Sequence, residues 1–105
     1  MRNSCIAALA LLLLATACAS DKATPQPELM RTWHEFLKLP PERAIAIAGD
    51  TRHGPWVTAS SGGHETRDEA IAEALMRCQI RREAKRMQAA CVLYGVGSEI
   101  VWRGR

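Results

Sequence analysis

The chain predicts a small α+β domain, an antiparallel sheet of about four strands with helices packed on one face, in the order α-β-β-α-β-β. Three observations carry that prediction. Short apolar runs, too brief for helices, alternate with segments of turn chemistry. One stretch opens with a capping box and continues as an apolar stripe. Two cysteines, Cys78 and Cys91, flank the passage from that stripe into the next apolar run.

In Pro27 to Lys38, Leu29, Trp33, Phe36 and Leu37 recur on one face of a short helix, which Pro40-Pro41 ends. Ala44-Ile45-Ala46-Ile47-Ala48 is a strand, with both isoleucines on one face and the alanines on the other. Gly49 to Pro55 is turn chemistry, and Trp56-Val57-Thr58-Ala59-Ser60 returns antiparallel as a second strand. Ser61 to Glu65 is a loop. Thr66-Arg67-Asp68-Glu69 then caps a helix: the Thr66 hydroxyl accepts from the Glu69 amide while the Glu69 carboxylate reaches back. Ala70, Ile71, Ala74, Leu75 and Cys78 form its buried stripe. Arg81 and Arg82 interrupt that stripe, so the packed face ends near Cys78 while helix continues to about Arg86. Cys91 to Val96 is a third strand, Gly97-Ser98 a two-residue hairpin turn, and Glu99 to Trp102 the last strand.

Residues 1–17 resemble an export signal: Arg2 precedes a short apolar run from Cys5 to Ala15, about half of what a membrane-spanning helix needs. Leu14-Ala15-Thr16-Ala17-Cys18 resembles the lipobox of bacterial lipoproteins, in which cleavage precedes a lipid-modified cysteine. By that resemblance Cys18 carries the lipid, and residues 18–27, polar and with two prolines, form a tether. Ordinary signal cleavage after Ala17 or Ala19 is the competing expectation. The absence of an acid directly after Cys18 favours the outer membrane, with the domain at 28–105 facing the periplasm. Cys5 leaves with the signal, so Cys78 and Cys91 remain, and an oxidising compartment favours their disulfide over a reactive pair.

From about residue 43 to 102, the chain resembles a group of small exported bacterial domains. The resemblance rests on Ala44-Ile45-Ala46-Ile47, Trp56, Ser60-Ser61-Gly62, Thr66 to Ala70, Ala74-Leu75, Cys78, Cys91 to Tyr94 and Ile100-Val101-Trp102. The group shares a strand pair, an alanine-rich helix ending in cysteine, and a second cysteine opening the final hairpin. Its motifs are structural and imply no activity. The segment between the cysteines is longer here, and richer in Arg and Lys.

Composition bounds the rest. The chain of 105 residues has room for one small domain, and most large cofactor folds do not fit. Its net charge of +3 is too near neutral to name a polyanionic partner. Arg77, Arg81, Arg82, Lys85 and Arg86 face a single acid, Glu83, within ten residues. They offer contact with an anionic cell-wall component or an acidic envelope protein. Complementarity to the helix dipole explains the same run, since Glu65, Asp68, Glu69 and Glu73 stand at the other end. Nucleic acid is not expected, because no aromatics interleave the cations.

His53 and His64, with Asp50 and Glu65, could build a zinc site only if loops at opposite ends of one strand met, so no metal or other cofactor is expected. Ser60 and Ser61 lack a Gly-x-Ser-x-Gly elbow, and no catalytic residue is assigned. Trp33, Trp56 and Trp102 are expected in the core unless one stands exposed as a binding surface. The expected function is therefore that of a non-enzymatic, membrane-anchored envelope lipoprotein acting as an interaction module. Alternatives are a periplasmic inhibitor of a cell-wall hydrolase and, less favoured, a small hydrolase.

Overall fold

A computed structural model describes residues 26–103; the expected signal segment, the expected lipidation site Cys18 and most of the expected tether lie outside them. The elements run α1 (Pro27–Phe36), β1 (Ala44–Gly49), β2 (Trp56–Ser61), α2 (Arg67–Ala84), β3 (Val92–Val96) and β4 (Glu99–Ile100). The strands form one antiparallel sheet in the order β2-β1-β3-β4, so the fold is α+β as the sequence predicts. No described helix is long and apolar enough to cross a membrane.

The two helices do not share a face. Strand β1 is buried at every position from Ala44 to Ala48, and its two faces feed separate cores. Ala44, Ala46 and Ala48, with Val57 and Ala59 of β2, pack against Ala70, Ala74 and Cys78 of α2. Ile45 and Ile47 pack on the other side with Tyr94 and with Leu29 and Phe36 of α1. The physical reason is that a central strand apolar on both faces must be covered on both. The partition is uneven. All five aromatic residues, Trp33, Phe36, Trp56, Tyr94 and Trp102, gather on the α1 face, whereas small side chains dominate the α2 face.

A bulge opposite Ile45 and Ala46 makes Tyr94 the extra residue of β3. Tyr94 and Gly95 thereby both serve the α1 side: Tyr94 meets Trp33 edge-on at 5.7 Å, and Gly95 leaves the space that the Trp33 ring fills. Strand β4 stops at Ile100 instead of Trp102. The amides of Val101 and Trp102 both donate to the Tyr94 carbonyl, at 2.8 and 3.1 Å, and Trp102 folds onto the Tyr94 ring at 5.3 Å. Gly97 occupies a positive-φ position (63°) in the two-residue hairpin turn.

Helix ends also differ from expectation. Helix α1 stops at Phe36, where Lys38 and Leu39 bond back to Glu35 and Phe36 in a tightened turn before Pro40. Helix α2 starts as predicted, the Thr66 hydroxyl accepting from the Glu69 amide at 3.2 Å, but among the described residues the Glu69 carboxylate makes no return bond. It ends at Ala84 in a Schellman closure: the Arg86 amide donates to Glu83 O and the Met87 amide to Arg82 O at 2.9 Å. Arg86 takes the left-handed position (φ 58°) that such closures usually give to glycine, and Met87 is buried beneath. The Cys78–Cys91 disulfide, with Cα atoms 6.1 Å apart, ties α2 to the residue preceding β3.

Candidate functional site

Strand β2 is an outer strand, and its free edge lies between the two helices. Pairing of Asp50 with Pro55 by a backbone bond of 3.3 Å sets the alternation of the β1–β2 ladder. Val57, Ala59 and Ser61 bond inward to β1, while the N–H and C=O groups of Trp56, Thr58 and Ser60 point out. Arg81 Nη1 donates to Thr58 O at 2.6 Å, and Arg77 Nη1 donates to Ser60 O at 3.0 Å. Two residues of strand rise about 6.8 Å, and four residues of helix about 6 Å, so a cation every four residues meets every second carbonyl. One step further along, Lys85 stands beside Trp56, with which it lines a cleft.

That cleft, of about 700 Å³, runs along the edge between α1 and the last turns of α2, lined by Arg31, Trp56, Thr58, Arg81 and Lys85. A smaller hollow of about 390 Å³ continues it past Ser60 and Phe36 and shares Arg31, Thr58 and Arg81. Glu28 lines the first and Glu35 the second, and Glu35 pairs with Lys38 at 3.3 Å. The groove is therefore cationic, floored by a strand edge and walled by a helix on each side.

Of the five predicted contact residues, the structure brings Arg77, Arg81 and Lys85 to this edge and sends the other two elsewhere. Arg82 Nε donates to Ala89 O at 2.6 Å, holding the segment between α2 and Cys91. Arg86 closes the helix. Arg31 of α1 joins the groove although the sequence did not single it out; its only sequence signal was a cation among the polar positions of α1. Arg43 was missed as well. Its guanidinium donates to Leu39 O (2.7 Å), Gly97 O (2.9 Å) and Ser98 Oγ (2.9 Å), and lies over the Phe36 ring. It locks the β3–β4 turn to the end of α1.

The remaining candidates separate. His53 pairs with Asp50 at 3.5 Å in an exposed turn. The Arg52 amide, and next the His53 amide, hold the Asp50 carboxyl below its ordinary value of 3.8. His64 meets Glu73, not Glu65, with Nε2 2.6 Å from Oε1, and the second Glu73 oxygen binds Arg77. Among the described residues, no group of three or more His, Cys, Asp or Glu side chains is placed to hold a metal. The Ser61 hydroxyl is buried and donates to Ala70 O at 2.6 Å, while Ser60 sits opposite Ile45 on the other face. Neither serine meets the His64–Glu73 pair, so no nucleophile–base couple forms there. No family model, curated protein or solved structure matches the chain.

Proposed function

We propose that the protein is a lipid-anchored, non-enzymatic binding module of the bacterial envelope, held by Cys18 in the outer membrane and receiving an anionic partner in the β2 groove. The observation that carries this reading is the convergence of Arg31, Arg81 and Lys85, from two helices, on one strand edge. Charge complementarity with the helix dipole accounts for cations near the end of α2, but not for Arg31 on α1. The lipobox-like Leu14 to Cys18 segment supports the anchor, and the disulfide suits an oxidising compartment.

The anchor is tested by metabolic labelling with a radioactive fatty acid, with Cys18→Ala as control. Label that depends on Cys18 supports it, and an unlabelled wild type ends it. The groove is tested by placing a photocrosslinking residue at Thr32 in cells. Acidic or otherwise anionic envelope material is expected, and its yield falls when Arg31, Arg81 and Lys85 become Gln. A yield indifferent to those changes refutes the groove.

A further inference from the structure

We infer that the β2 edge receives an extended, acidic segment of another polypeptide, which adds to the sheet as a fifth strand in the channel between α1 and α2. This rests on the anionic-partner reading above and names the chemistry of the partner. The ladder alternation directs the Thr58 and Ser60 amides away from β1, leaving them without a partner in the sheet. Their carbonyls are already occupied by Arg81 and Arg77. What remains at the edge is a surplus of donors. A guanidinium carries five N–H groups, and Arg81 spends one of them on Thr58 O. Arg31 and Lys85 line the same cleft, and among the described residues neither makes an ion pair or side-chain hydrogen bond.

A ligand that fits must bring acceptors at strand spacing and negative charge on the side of the cations. An extended peptide does both. It presents backbone carbonyls at about 3.4 Å per residue, and alternate side chains fall on the same side, toward Arg81 and Lys85. An isolated phosphate or carboxylate satisfies the charge but leaves the row of amides unpaired. The long edge of β2 also contrasts with β4, whose two residues offer little template.

The test uses the full-length ¹⁵N-labelled protein in detergent and a synthetic hexapeptide of alternating threonine and glutamate. Binding is expected to move the backbone amide resonances of Thr58 and Ser60. Replacing alternate peptide bonds by carbonyl-free alkene isosteres removes the acceptors that the Thr58 and Ser60 amides would meet and keeps the charge, so affinity should fall about tenfold or more. The double variant Arg31→Gln, Lys85→Gln should weaken the unmodified peptide and leave the fold intact, both cations being surface groups. If the carbonyl-free peptide binds equally well, strand addition is overturned while the anionic groove survives. If free glutamate shifts the same resonances at the same concentration, or if the acidic peptide leaves Thr58 and Ser60 unmoved, the inference is likewise overturned.

Discussion

Arg86 shows how one residue can hide a structural device. It occupies the left-handed position of a Schellman closure, which costs an L-residue with a side chain roughly 1–2 kcal/mol. Arg86→Gly removes that strain but adds flexibility to the unfolded chain, so a net gain of about 0.5 kcal/mol is expected in urea unfolding. No glycine marks the end of α2, which is why the sequence placed the helix end only loosely near Arg86. Tyr94 gives a second test at this scale. Burial pushes its hydroxyl above the ordinary value of 10.0. The unfolded tyrosine therefore loses its proton first, and above pH 10 the unfolded state binds fewer protons than the folded one. Stability is expected to decline as pH rises from about 10 toward the folded-state value. Tyr94→Phe should flatten that part of the curve, as followed by thermal melts across alkaline pH.

Among the elements, α2 was the most legible and the most deceptive. Its start was fixed by chemistry local in sequence: Thr66 has an acceptor oxygen and the Glu69 amide needs one. Thr66→Ala should cost about 1 kcal/mol of stability, measured by chemical denaturation, since one helix donor loses its acceptor. Its buried stripe also ends at Cys78, as the intrusion of Arg81 and Arg82 indicates. What a linear pattern could not convey is that the arginines at 77 and 81 lie over a strand edge. That depends on β2 being outermost, and strand order is a property of nonlocal pairing. The same limit applies to Arg43, whose partners at Gly97 and Ser98 lie more than fifty residues away. The β4 end was shortened by a tertiary contact, Trp102 leaving its strand to stack on Tyr94, and α1 by the tightened turn before Pro40.

At the scale of the whole molecule, the sheet separates two kinds of packing. Alanine against alanine lets α2 sit close to β1 and β2, but contributes little apolar area per residue. The disulfide reinforces that lean side. Converting both Cys78 and Cys91 to Ala is expected to cost about 3 kcal/mol, the chain-entropy value for a loop of this length, seen as a lowered urea midpoint. The aromatic side needs no covalent help, since Trp33, Phe36 and Tyr94 bury large rings against Ile45 and Ile47. The sequence anticipated the α+β class, the hairpin turn and the cysteine pair because each has a local or chemical signature. It misplaced α1 because helical periodicity reports which residues are buried, not which side of a sheet receives them.

The placement of α1 has a mechanical consequence. Helix α1 is the first described element, adds no rung to the sheet, and lies on the face opposite the covalent staple. Traction applied at the amino-terminal end therefore reaches α1 before anything else. It peels away a wedge of rings while the four strands and α2 stay clamped, and Arg31 leaves with it. A tug on that end would thus strip one wall from the groove without unravelling the rest.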